Sequence, residues 1–288
     1  MRAGTFRTPR FRLLLPVVPV LLALLATLTP SASAQSLYKY APATQWGYTY
    51  AGPSANSASG TTPKGANLEK QSTIDVNYIN FPDWAKKELQ LAVDIWAANF
   101  QSKVAITIDA TWSSSQSVAV LGSARPGGYF AGFSGAPDSS LWYPSGLANA
   151  LAGKDLDVRN AEMLINVNSR ASWNRRGDGA PTTREYDLKS VFIHEMGHGL
   201  GFLSNDSYDT YLGYGSIEQP TPFDAYAQTS DGRRLADLPS PSLELGRALR
   251  SSLVWSGPQG IAANGGIKPI LYTPSTYEDG SSISHLDE

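Results

Sequence analysis

Two histidines and a glutamate stand together in the run Ser190-Val191-Phe192-Ile193-His194-Glu195-Met196-Gly197-His198-Gly199-Leu200-Gly201-Phe202. On a helix, residues four apart lie one above the other, so His194 and His198 can present their imidazoles to a single ion. Glu195 falls one position round, close to such an ion but off the ligand face. There it can take a proton from a metal-bound water and hand it to a leaving amine. Zinc lowers the pKa of its bound water from 15.7 towards about 7 and polarises a carbonyl, so neither a serine triad nor an acid dyad is needed. The competing reading is an ordinary buried helix. Against it, Gly197, Gly199 and Gly201 crowd the segment, and an interior glycine costs a helix about 1 kcal/mol. Stretches that break local propensity tend to be functional.

Catalytic zinc usually takes three protein ligands and one water. A third histidine six residues past His198 would complete the site at short range, but that position is Ser204. Asp206, Asp209, Glu218 and Asp224 lie nearby as oxygen candidates. The chain's one remaining histidine is His285, in Gly280-Ser281-Ser282-Ile283-Ser284-His285.

H-E-x-x-H-x-x-G-F, a long insertion and then G-S-S-x-S-H is similar to the leishmanolysin family of metzincin zinc metallopeptidases. The match is strong at these two short motifs, within roughly residues 160–288. It also resembles a group of cysteine-free secreted bacterial proteins with the same helix motif. The resemblance implies a chain reversal at Gly201-Phe202, an insertion from Leu203 to Ser284, and zinc held by His194, His198 and His285 with Glu195 as general base. It implies a strand near Ala161–Val167 that edges the cleft and pairs with an extended substrate. Metzincins follow the third ligand with a methionine-containing turn, and no methionine follows His285. The expectation is therefore a catalytic domain over 71–288 lacking its C-terminal part.

Composition narrows the alternatives. The chain has 288 residues, 23 Lys+Arg against 25 Asp+Glu, and no cysteine. Zero cysteines exclude disulfides, thiolate zinc sites, iron–sulfur clusters and thiol nucleophiles. A net charge of −2 offers no basic surface for a nucleic-acid partner. Arg2, Arg7, Arg10 and Arg12, the apolar run Leu13–Leu28 and Ser31-Ala32-Ser33-Ala34 read as a secretory signal peptide over 1–34. The apolar run is too short, and too interrupted by Pro16 and Pro19, for the roughly 20 residues of a spanning helix. Its removal leaves 19 basic and 25 acidic residues, a charge of −6. No membrane association is expected after cleavage. Secretion without disulfides suits export from a bacterium.

The elements that must position the motif follow from periodicity. Residues 35–70, rich in small and polar residues, read as a leader or propeptide-like segment with little to bury. Ile74, Val76 and Tyr78 alternate as a strand. Pro82-Asp83 opens a helix whose stripe is Ala85, Leu89, Ala92, Trp96 and Phe100. Val104–Asp109 and Ala161–Val167 are further strands, and 122–160 is loop-rich with short elements at most. The motif helix starts at Asp187 or Ser190 and ends near Leu200. Beyond Phe202 only Ser242–Leu253 is periodic.

The expected fold is α/β (α+β): a zincin-like mixed sheet with two main helices, the second carrying the metal motif, and a long loop-rich insertion. The expected function is a secreted zinc-dependent metalloendopeptidase acting on protein or peptide substrates. The alternative is a non-enzymatic secreted or surface module that retains the fold with an incomplete metal site. A downstream glutamate as third ligand is a lesser variant of the first.

Overall fold

Parallel strands need a crossover between them, and the chain supplies it early. In the computed structural model, which describes residues 38–51 and 69–287, β3 (Ile74–Ile79) leads through α1 (Asp83–Asn99) to its parallel neighbour β4 (Ile106–Ser113). Then β8 (Met163–Asn168) adds on the far side of β4, again parallel. Two antiparallel strands complete the five-stranded sheet in the order β2-β5-β8-β4-β3: β5 (Val120–Pro126) beside β8, and β2 (Gly47–Tyr50) beside β5. The signal-peptide reading of 1–34 lies outside the described residues.

The motif helix, α3 (Leu188–Leu200), shares one core with α1 and the sheet. Leu89 and Val93 of α1, Ile108 of β4, Ile165 and Val167 of β8, and Val191, Phe192 and Met196 of α3 are all buried there. Each such side chain contributes about 1.5–3 kcal/mol of transfer free energy. Trp96 of α1, half-buried, donates its indole N–H to the Ile193 carbonyl at 2.9 Å, which fixes α1 against α3. Phe100, expected on the α1 stripe, is instead its C-cap, and Val93 and Ala97 fill the face.

Smaller elements surround this layer. β1 (Lys39–Pro42), β6 (Gly128–Ala131) and β7 (Tyr143–Pro144) form a second sheet, followed by α2 (Ser145–Ala152). After α3 come the hairpin β9 (Asp206–Tyr208) and β10 (Gly215–Ile217), then α4 (Pro222–Tyr226). A three-stranded sheet of β11 (Ala227–Thr229), β12 (Leu253–Trp255) and β13 (Ile270–Leu271) accompanies α5 (Leu243–Ala248) and α6 (Pro258–Ala263). This C-terminal part has a core of its own, including Phe223, Leu245, Leu253, Leu271 and Ile283. Among the described residues no helix is long and apolar enough to cross a membrane.

Among the described residues the fold is thus mixed α/β, with several sheets and six α-helices. Three local expectations need correction. Residues 38–51, read as part of a segment with little to bury, form β1 and β2, pair with β6 and β5, and bury Ala41 and Ala43. The region 122–160 contains most of a full sheet strand, β5, whose small residues Gly122 and Ala124 give little periodic signal. Finally, β8 is not a cleft edge, because β4 and β5 pair with it on both sides.

Candidate metal centre

Helix α3 begins where a side chain can satisfy its free amides. Asp187 is the N-cap, accepting from the Ser190 amide at 3.1 Å and from the Ser190 hydroxyl; such caps contribute about 1 kcal/mol. Val191, Phe192 and Met196 then turn inward, which leaves His194 and His198 to face away from the core centre towards the C-terminal part. Gly201 ends the helix in the left-handed region at φ 113°, its amide reaching back to the Gly197 and His198 carbonyls. Only glycine adopts that conformation without strain. The expected reversal at Gly201-Phe202 is therefore where the chain leaves the helix.

His285 arrives from the other core. Ile283, two residues before it, is completely buried and holds φ at 72°, a costly conformation for a β-branched residue. Its amide donates to the Tyr272 carbonyl, and the Tyr272 amide donates to the His285 carbonyl at 2.9 Å. The Ser284 hydroxyl accepts from the Ser204 amide at 3.0 Å, tying the segment to the chain just past α3. Position 204, where a close third histidine would have stood, thus serves to anchor the distant one.

The three imidazoles converge. His194 Nε2 lies 2.9 Å from His198 Nε2 and 3.1 Å from His285 Nε2. A tetrahedral zinc with bonds of about 2.0–2.1 Å would set its nitrogens about 3.3 Å apart. The Nδ1 atoms of His198 and His285 each lie 2.8 Å from a carbonyl oxygen, of Phe202 and Ser281 respectively. A carbonyl only accepts, so both Nδ1 atoms carry the proton and both Nε2 atoms present lone pairs. One proton on His194 Nε2 can serve only one of those neighbours. A cation at the centre satisfies all three, so the donor set fits a metal ion. Burial first, with the other two histidines adding, holds His198 neutral well below the usual histidine range. His194 is the most exposed of the three, yet desolvation by the surrounding protein, and then His285, also lower its pKa.

Glu195 is completely buried. Its Oε1 accepts from the Thr49 hydroxyl at 2.6 Å, while Oε2 has no hydrogen-bond partner. Burial, partly offset by the Thr49 hydrogen bond, pushes the carboxyl up to about 8. A cleft of about 410 Å³ opens beside the histidines, walled by Tyr48, Tyr50 and Tyr272 as well as His194 and His285.

His194, Glu195, His198 and His285 are therefore neighbours, and among the described residues the three histidines form the group able to hold a metal ion. The oxygen candidates stand elsewhere. Asp224 is the third residue of α4 and closes its capping box, accepting from the Thr221 amide and from the Ser204 hydroxyl. Asp206 accepts from the Tyr277 hydroxyl, Asp209 binds the Tyr211 and Leu212 amides, and Glu218 is exposed.

Three participants escaped sequence reasoning: Thr49, Gly47 and Gly122. A Cβ on Gly47 would come within 2.5 Å of the His198 ring, and one on Gly122 within 2.7 Å of Glu195 Oε1. The alternation Gly47-Tyr48-Thr49-Tyr50 was the signal that marks β2 as a strand. Compared with protein-family models, curated proteins and solved structures, the chain matches none.

Proposed function

We propose that the protein is a secreted zinc-dependent metalloendopeptidase with a metzincin-like site. The observation that carries this reading is the convergence of three imidazole Nε2 atoms on one point, with Glu195 adjacent on the same helix. Zinc held there supplies Lewis-acid activation of water and of the scissile carbonyl. The protein's share is proton transfer and positioning. Glu195 Oε2, the carboxylate oxygen without a donor, accepts the proton of the attacking water and returns it to the leaving nitrogen. In the folded chain the Thr49 hydroxyl occupies the other oxygen, Oε1. The Phe202 and Ser281 carbonyls orient His198 and His285.

The competing reading is a non-enzymatic secreted module with an incomplete metal site. A third histidine within reach of the other two favours the enzyme. The test is zinc content and casein cleavage by the protein and by Glu195→Gln, each assayed intact and after limited proteolysis of the N-terminal part. The expected result is about one zinc per chain in both proteins and a cleavage rate lower by about 10²–10⁴ in Glu195→Gln. Zinc binding with no Glu195-dependent cleavage in either state would leave the binding-module reading standing.

A further inference from the structure

Strand β2 reaches the candidate general base from outside its helix, through the Thr49 hydroxyl on Glu195 Oε1. It runs antiparallel to β5, with Gly47 opposite Ala124 and Thr49 opposite Gly122. Along its other edge the Tyr48 amide donates to the Gly280 carbonyl at 3.1 Å, and Gly280 begins the segment that carries His285. An extended piece of chain is thus threaded between a sheet edge and the third histidine, directly over Glu195 and His198. An extended peptide docking by strand addition makes this same set of contacts: main-chain pairing for affinity, with alternate side chains read on one face.

β2 also has the energetics of a docked peptide rather than of a core strand. It contributes no buried apolar side chain, and the residue against His198 is one with no side chain at all. Its neighbour β1 anchors it, since Tyr38 and Tyr40 pack on Phe130 and Ala41 is buried. A tether of that kind raises the effective concentration of a weak strand to the millimolar range. Glu195 is completely buried with β2 in place, and Thr49 is hydrogen-bonded to it.

We propose that β2 occupies the substrate edge of β5, so that Gly47–Tyr50 acts as a built-in substrate mimic and the intact chain is latent. This deepens the peptidase reading above and rests on it for the word substrate. Lifting β2 exposes the β5 edge for an extended peptide. The occupant implies a small residue opposite His198 and a hydroxyl-bearing or similarly small polar residue opposite Gly122.

The test uses the full chain with a specific protease site engineered between residues 52 and 68. The chain is cut there and freed of its N-terminal piece by gel filtration. The probe is a fluorescein-labelled peptide of residues 44–51, followed by anisotropy without zinc and again with zinc, alongside casein cleavage and zinc content. Tyr48→Pro in the uncut chain, which removes the amide bonded to Gly280, is the second variant. The peptide should bind the freed chain about 10²-fold more tightly than the intact one, with Tyr48→Pro in between. Casein cleavage should rise in the same order and fall when unlabelled peptide is added. Loss of zinc binding on removal of β2 would show it to be a structural strand and overturn the proposal, as would failure of the freed chain to bind the peptide. Equal cleavage by intact and freed chains would overturn latency while leaving the peptidase reading intact. Peptide binding gated by β2, with no cleavage in any form, would support the occupancy of β5 and sink the peptidase reading instead.

Discussion

At the residue scale, backbone carbonyls decide what the histidines can do. By taking the Nδ1 protons of His198 and His285, the Phe202 and Ser281 carbonyls leave both Nε2 lone pairs facing one point. The Ser204–Ser284 link should matter for the same reason. Ser284→Ala leaves the Ser204 amide without its acceptor, and an unmade buried hydrogen bond costs about 1–3 kcal/mol. Chemical denaturation should read that loss, and zinc titration a weaker site. A residue away from the histidines contributes to the pH response of stability. Burial, with the Asp224 charge adding, pushes Asp206 up to about 7, against about 3.9 in an unfolded chain. The folded state therefore holds its proton more tightly than the unfolded state does. This contribution to stability is complete below about pH 4 and is lost as pH rises through about 7, each tenfold difference in proton affinity being worth about 1.4 kcal/mol. Denaturation of wild type and Asp206→Asn at pH 5 and pH 8 should show a smaller loss between the two in the variant.

At the scale of elements, α3 and β5 form the working pair. Asp187→Ala removes the α3 cap and should cost about 1 kcal/mol, seen as a lower Tm with zinc stoichiometry unchanged. Gly122→Ala places a methyl 2.7 Å from Glu195 Oε1. It should displace the carboxylate and depress cleavage while one zinc per chain remains, which separates base positioning from metal binding. These two elements also show what the sequence makes legible. The motif helix was readable because its ligand spacing, its cap at Asp187 and its exit at Gly201 are all local. Its interior glycine signal has a packing component as well, since a Cβ on Gly199 would lie 2.2 Å from Met163. The register of β5 was not readable. Gly122 and Ala124 are small because α3 sits on them, and smallness erases the alternation that marks a strand. The role of β2 was hidden for a related reason: its pairing partner lies some seventy residues away, and the short Gly47-Tyr48-Thr49-Tyr50 alternation marks a strand without saying what it pairs with.

At the scale of the molecule, the three-histidine cluster that could hold a metal joins two cores. His194 and His198 belong to the helix packed on the main sheet, and His285 follows Ile283, which is buried in the C-terminal cluster. A ligand that binds only the folded state stabilises it by mass action. Zinc at about a thousand times its Kd should therefore add about 4 kcal/mol, measured as a rise in Tm that a chelator reverses. In the sequence, His285 was one of several candidates for the third ligand, because eighty residues of short irregular elements separate it from α3 and only the assembled C-terminal core brings it back. The most direct test of the three-histidine centre is X-ray absorption on the zinc-loaded protein and on His285→Ala. Three imidazole nitrogens at about 2.0–2.1 Å are expected in the wild type, and a site of two imidazoles, bound much more weakly, in the variant. An unchanged zinc environment in His285→Ala, or a sphere made of carboxylates, would contradict that centre.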